Sequence, residues 1–389
     1  KRSVSPHISE TTIIFRGGIL LKMKKLSAFM KSEIVLVISL ALAFVSSLFV
    51  PPSSTYWGYV DFRVLCLLFC LMATVKGLSN ANAFEVMSQF LVKNAKGTRS
   101  LSLMLVMICF FSSMFITNDV ALITFVPLSI SILRKYDHKN LIFVIVMQTI
   151  AANLGSMLTP VGNPQNLYLF SFYGLKISEF LKMVIPLGAI SLVLIVLITL
   201  SIKNTKCVCD IDTKHIEDKT GFMLYFILFL LCLLTVFDIV HYLITLVIVS
   251  VSLIFKDKSV FKRLDYSLLL TFVAFFIFTG NVASIQAVKD FISSVIVGKE
   301  LICSALLSQA ISNVPTAFML SAFTDNAAGL VQGTNIGGLG TVVASLASLI
   351  SFKLYSQSAD ASRGRYLVTF TVLNFALLIL LILISLAIQ

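Results

Sequence analysis

Polarity along the chain comes in blocks. Seven apolar runs, at residues 33–50, 62–74, 180–202, 222–239, 242–255, 265–279 and 366–388, each approach the length a helix needs to cross a ~30 Å hydrocarbon core. Two further stretches, 80–92 and 281–297, carry apolar residues at helical spacing with polar ones between them. They are too polar to cross and are expected to lie in the membrane interface.

One long apolar segment, 140–172, is interrupted by Asn153-Leu-Gly-Ser-Met-Leu-Thr-Pro-Val-Gly-Asn-Pro-Gln-Asn-Leu167, with three Asn, two Gly, two Pro and a Thr. A lipid-facing helix cannot carry that composition, because freed backbone groups and amides in hydrocarbon cost several kcal/mol each. Such backbone is buried in protein or lines a polar cavity. A degenerate copy begins 182 positions later, at Asn335. Asn153/Asn335, Gly155/Gly337, Thr159/Thr341, Val161/Val343 and Leu167/Leu349 are identical, and Asn163/Ser345 and Asn166/Ser348 stay small and polar. Broken helices at corresponding places in two halves point to a transporter's binding site.

Two more polar breaks fall inside apolar sequence. Thr117-Asn118-Asp119 separates 101–116 from 120–133, and Ser312-Asn313-Val314-Pro315-Thr316 lies within 301–323. The first is either the turn between two full spans or the tip of a re-entrant hairpin. Arms of about 15 residues are short for an upright crossing, which favours the hairpin.

Composition agrees with the blocks. The chain is 58 % hydrophobic and 12 % charged, with mean hydropathy +0.98, which excludes a soluble domain of this size. The net charge of +12 is therefore read by placement and implies no nucleic-acid partner. Met23-Lys24-Lys25 reads as the true start, so residues 1–22 are left out of fold reasoning. Cys207 and Cys209 share a polar loop and could clip a soft metal or arsenite; lacking a third ligand, they read as ordinary loop residues.

Lys and Arg gather in alternate loops: Lys93, Lys96 and Arg99; Arg134, Lys135 and Lys139; the 203–220 loop; Lys256 to Arg263; and Lys353, Arg363 and Arg365. All fall on one side only if each hairpin returns the way it came. The positive-inside rule then puts the N-terminus in the cytoplasm and the C-terminus outside. The expected plan is an all-α polytopic membrane protein with an inverted-topology repeat, each half holding a re-entrant helical hairpin and a broken transmembrane helix. Its parts are a cytoplasmic segment (1–32), a first repeat (33–202), a cytoplasmic linker (203–220), a connecting helix (221–240) and a second, inverted repeat (241–389).

The four breaks are expected to meet near the midplane. Helix N-termini starting there suit an anion, and unwound carbonyls with Asn and Thr oxygens suit a hard cation such as sodium. The candidate substrate and ion site comprises Thr117, Asn118, Asp119, Asn153, Gly155, Thr159, Pro160, Gly162, Asn163, Pro164, Asn166, Ser312, Asn313, Pro315, Thr316, Asn335, Gly337 and Thr341. Asp119, the one acid in the breaks, reads equally as a proton- or cation-coupling carboxylate and as an N-cap for a helix beginning at Val120.

The motifs Thr-Asn-Asp-Val-Ala, Leu-Thr-Pro-Val-Gly-Asn-Pro-Gln-Asn, Ser-Asn-Val-Pro and Asn-Ile-Gly-Gly resemble the ion-transporter superfamily. That group holds divalent-anion:sodium symporters, citrate transporters, arsenite permeases and sodium/proton antiporters. The likeness runs over nearly the whole chain from about residue 33 and is strongest to the anion or citrate-transporter-like permeases. It implies substrate contact by Thr117, Asn118, Ser312 and Asn313, and sodium near Asn118, Gly162, Asn163 and Asn313. It also implies elevator-type movement and a homodimer in the cytoplasmic membrane. The third-position Thr of the dicarboxylate symporters is replaced by Asp119 and Val314, which weakens the case for a dicarboxylate.

The expected function is secondary active transport of a small anion, a di- or tricarboxylate or an inorganic oxyanion, coupled to Na+ or H+ and needing no cofactor. The alternative is arsenite or antimonite efflux, or sodium/proton exchange, through Asp119. No His-Glu-x-x-His, Gly-x-Ser-x-Gly or paired intramembrane aspartates suggest an enzyme. A passive channel would not need two broken helices.

Overall fold

A computed structural model describes residues 33–93, 95–206, 215–216, 218–358 and 360–388. Cys207, Cys209 and Met23 lie outside the described residues. All regular structure among these residues is helical, apart from one isolated bridge between Gly97 and Lys206. The helices longer than four residues are α1 (Ile34–Phe49), α2 (Phe62–Asn80), α3 (Ala83–Val92), α4 (Thr98–Ile116), α5 (Asn118–Tyr136), α6 (Leu141–Ser156), α7 (Pro164–Phe172), α8 (Ile177–Leu200) and α9 (Lys219–Val236). They continue with α10 (Tyr242–Lys256), α11 (Tyr266–Ser284), α12 (Gln286–Ile296), α13 (Glu300–Ile311), α14 (Asn313–Ser321), α15 (Ala327–Ile336), α16 (Leu346–Ser356) and α17 (Arg363–Ile388). Six of these are long and apolar enough to cross a membrane: α2, α4, α8, α9, α11 and α17. The chain is a polytopic membrane protein.

Several boundaries move from the sequence expectation. α2 continues past Thr74 to Asn80, because Gly77 lets the Tyr225 ring of α9 lie against its backbone. It ends where Asn82 turns to φ 58°, so the amphipathic α3 starts only at Ala83. α11 likewise runs on to Ser284 and the amphipathic α12 begins at Gln286. α4 and α5 are 19 residues each, about 28 Å of helix. The expectation of short arms there does not hold. The second pair is short, with 12 residues in α13 and 9 in α14.

The chain divides into two compact units. One takes residues 33–60 with Asp265–Asn281. Within it Asn281 Nδ2 donates to Ser46 Oγ at 3.1 Å and to Tyr56 OH at 2.9 Å, so its amide is paired inside an apolar unit.

The other unit holds the remaining helices and is built around α6. That helix has apolar residues on every side rather than on one face, as a buried helix does, with its few polar side chains bonded inside the protein. It is buried at every position over 144–156. α4, α5, α8, α16 and α17 all pack on it. The contacts of the later helices mirror those of the earlier ones. α4 packs on α6 as α13 packs on α15, and α5 packs on α16 as α14 packs on α7. α8 and α17 each touch both α6 and α15. Both long helices turn large apolar side chains outward, such as Val193, Leu197, Val368 and Ile379, the surface hydrocarbon requires.

A buried acid, Glu300 at the start of α13, fixes the far end of that helix. Its carboxylate accepts from Gly298 N (3.1 Å), Thr324 Oγ1 (2.9 Å) and Asn326 Nδ2 (3.1 Å). Asn326 in turn caps α15 by accepting from Gly329 N.

Candidate functional site: four helix N-termini on one asparagine network

The two polar tips have the same unusual backbone. Thr117 sits at φ 64°, ψ 149° and Ser312 at φ 76°, ψ 156°. This region is nearly reserved for glycine and costs about 1–3 kcal/mol elsewhere. It reverses the chain in one residue, so α4 ends at Ile116 and α5 begins at Asn118, as α13 ends at Ile311 and α14 begins at Asn313.

Each tip is pinned to the break of a broken helix by matching bonds. Asn118 N donates to Gly162 O at 3.1 Å, and Asn313 N to Ala344 O at 2.9 Å. Thr159 Oγ1 donates to Met114 O, and Thr341 Oγ1 to Gln309 O at 3.0 Å, taking up carbonyls left open where the first arm ends. Each tip Asn folds its Oδ1 onto the next backbone N–H, Asp119 or Val314, at 2.9 Å. The carbonyl and threonine partners lie the same 182 positions apart as the sequence copies.

Beyond each break a new helix starts with a capped N-terminus. Asn163 accepts from Asn166 N before α7, and Ser345 accepts from Ala347 N before α16. Pro164 takes the first helical position of α7, where no N–H is needed.

Two asparagines tie the halves together. Asn153 Oδ1 accepts from Asn118 Nδ2 (3.1 Å) and Ser345 Oγ (3.0 Å), while its Nδ2 donates to Gly338 O and Ser348 Oγ (3.3 Å each). Asn335 Oδ1 accepts from Asn163 Nδ2 at 2.8 Å, and its Nδ2 donates to Asn166 Oδ1 at 2.6 Å and Val331 O at 2.7 Å. Asn118, Asn153, Asn163, Asn166, Asn313 and Asn335 are all buried. For Asn153, Asn163, Asn166 and Asn335, bonding across the halves is what makes that burial tolerable, since an unpaired amide would lose about 1–3 kcal/mol. One connected set of bonds therefore spans the N-termini of α5, α7 and α16, and that of α14 joins through Ala344.

The side-chain amides of the two tips differ in their partners. Asn118 Nδ2 is committed to Asn153, whereas Asn313 Nδ2 has no acceptor among the described residues. Asp119 is half-buried at the second position of α5, with Thr117 as the N-cap residue. The expectation that Asp119 caps a helix beginning at Val120 is therefore corrected: the strained tip starts that helix two residues earlier.

Other expected residues serve the frame around this network. A Cβ on Gly155 would lie 2.1 Å from Phe110 O and 2.7 Å from Ser113 Oγ, so the glycine sets the approach of α6 to α4. Gly337 faces Ser308 on α13 in the same way. Gly162 lets the break fold back on Ser156 O. Thr316 donates to Ser312 O inside its own helix, Pro315 is buried at the third position of α14, and Pro160 is buried in the break.

The citrate transporter family matches residues 19–336 of the chain. The chain belongs to that family. An uncharacterized transporter of Methanocaldococcus jannaschii is 33 % identical over 328 residues, 83 % of this chain and 89 % of its own length. The inner membrane protein YbiR of Escherichia coli K12 is 30 % identical over 341 residues, covering 83 % and 87 %. A silicon efflux transporter of rice, Oryza sativa subsp. japonica, is 27 % identical over 130 residues, 33 % of this chain and 27 % of its own. The protein is a multi-pass membrane transporter of the citrate and arsenite permease type, within the superfamily its motifs resemble.

In this citrate transporter family member, Ser345, Ser348 and Gln309 also take part, although none of them is among the candidate site residues expected from the sequence. Ser345 and Ser348 are the small polar matches of Asn163 and Asn166, and that matching was the signal for them. Gln309, a polar residue inside an apolar arm, donates to Gly337 O (2.9 Å) and Leu339 O (3.0 Å) and accepts from Thr341 N (2.9 Å). An amide in apolar sequence is itself the signal, since hydrocarbon gives it nothing to bond.

Proposed function

We propose that this citrate transporter family member moves a small carboxylate anion of the citrate or succinate kind by secondary active transport, coupled to Na+ or H+. The observation that carries the proposal is the convergence of four helix N-termini on one asparagine network. Their positive dipole ends favour an anion without a buried Lys or Arg. The Asn313 amide, with no acceptor among the described residues, is available to donate to a substrate oxygen. The coupling ion takes oxygens near Asn118, Gly162, Asn163 and Asn313. The mirrored contacts support an inverted repeat whose two hairpins enter from opposite faces and move together, elevator-fashion, with the N-terminus in the cytoplasm and the C-terminus outside.

A second reading rests on Asp119. A half-buried carboxylate beside a tip suits coupling to protons or cations, and the silicon efflux transporter among the relatives is named for outward movement. In that reading the chain exports a small oxyacid such as arsenous acid, or exchanges sodium for protons.

Thermal unfolding of the purified protein across sodium, lithium, succinate, citrate, sulfate and arsenite, singly and in pairs, separates the two. A ligand that binds the native state raises the transition by mass action. Citrate or succinate raising it only with sodium supports the symporter. A rise with arsenite alone, or with sodium alone in a pH-dependent way, replaces it with the second reading.

A further inference from the structure

A cavity of about 320 Å³ opens at the end of the unit where the N-termini of α6 and α17 meet the C-terminus of α8. We infer that it is a binding site for the phosphodiester headgroup of an anionic phospholipid. Lys139, Lys203 and Arg365 line it, each from a different segment, and no carboxylate does. None of the three is in an ion pair among the described residues. The acid close by in sequence, Asp137, is held by Asn140 Nδ2 at 2.8 Å. Three cations around one small cavity repel each other, and an anion placed between them relieves that repulsion.

The helices add to the same field. α6 and α17 bring positive dipole ends to the cavity. The negative end of α8 is offset by Arg99, whose Nε donates to Ile202 O at 2.8 Å. The hydroxyls of Ser201 and Thr369 are spent on backbone carbonyls of their own helices, so the ligand is held by charge. Arg365 supplies the one planar fork that matches phosphate oxygens.

What favours a lipid over a soluble anion is the surface next to the cavity. Ile142 and Phe143 form its apolar wall. Within about two turns, Leu197 on α8 and Val368 and Val372 on α17 are more than half exposed, at 60 %, 65 % and 62 %. Acyl chains would lie along these side chains, and a free phosphate would leave them unused. Basic pockets between transmembrane helices are a recurrent place for anionic headgroups. The volume is near the low end of the ~300–1,000 Å³ usual for ligand pockets, and only the headgroup needs to fit.

The test uses the full chain in a neutral detergent, with phosphatidylglycerol, phosphatidylcholine or inorganic phosphate added. Native mass spectrometry and the thermal transition are the readouts, for the parent and for Lys139→Gln/Lys203→Gln/Arg365→Gln. All three side chains are exposed, so the variant is expected to fold, and single Lys139→Gln and Arg365→Gln variants serve if it does not. Phosphatidylglycerol should bind and raise the transition of the parent, and at least tenfold more should be needed for the variant. Equal binding by parent and variant overturns the site, and an equal rise with inorganic phosphate overturns the lipid assignment. Lys353→Gln, in the last turn of α16 and not lining the cavity, should bind as the parent does; an equal loss there would mean a general charge effect and would also overturn the site.

Discussion

Thr117 and Ser312 hold a backbone that side chains with a Cβ seldom adopt, and they hold it at the two places where a helix must stop and restart within one residue. Thr117→Gly and Ser312→Gly are expected to leave the thermal transition unchanged or raise it, because glycine enters that region freely. Thr117→Val should lower stability by about 1–3 kcal/mol relative to the glycine variant, since it keeps the strain and removes the hydroxyl. Asn153→Ala removes four bonds at once and leaves Asn118 Nδ2 without its acceptor. A loss of about 1–3 kcal/mol in chemical unfolding is expected, with weaker substrate binding in the same variant. Asp119→Asn keeps the shape and removes the charge. On the symporter account, substrate-dependent stabilisation persists in it; loss of all cation and pH dependence would favour the exchange account. Asn153, Asn163, Asn166 and Asn335 were legible in the sequence because amides within apolar runs must find partners inside the protein. Their division of labour was not legible: which asparagine bridges the halves depends on tertiary geometry that the spacing does not encode.

Among the elements, close approach of backbones is the ruling constraint. Gly155→Ala would put a methyl against Phe110 O, a backbone atom that cannot swing aside. It should destabilise by about 1–3 kcal/mol in thermal or denaturant unfolding. Gly174→Ala, with open space around a φ of 58°, should cost less, about 1 kcal/mol. The loop before α9 gives a pH test. Asp218 caps α9 through Gly221 N, and its carboxylate lies 2.7 Å from Lys256 Nζ; that bond, more than the cap, holds its pKa below the usual carboxylate range. A depressed folded-state pKa means the contribution is present at neutral pH and lost as pH falls through that value. Asp218→Asn should therefore be slightly less stable than the parent at neutral pH, with the difference closing in acid. The apolar runs located the helices well, since the bilayer imposes a length on each. Their ends moved where a tertiary contact outweighed local polarity. The apolar run behind α2 ends at Thr74, yet Gly77 seats the Tyr225 ring and the helix runs on to Asn80.

Over the whole molecule, the degenerate copy at Asn335 is matched by bonds that recur between the halves: tip N–H to break carbonyl, break threonine to arm carbonyl, and asparagine across to the opposite cap. Two copies at 182 positions' separation could be aligned by eye. Their joining into one network could not, because that depends on how α5 packs on α16 and α14 on α7. On the proposed function, both tips serve one ligand rather than two. The direct measurement is equilibrium binding of citrate, with and without sodium, to the purified parent and to Asn118→Ala and Asn313→Ala, each first checked for a cooperative thermal transition. Either substitution alone should abolish binding, because each removes one side of a shared site. Full affinity in either folded variant would contradict it.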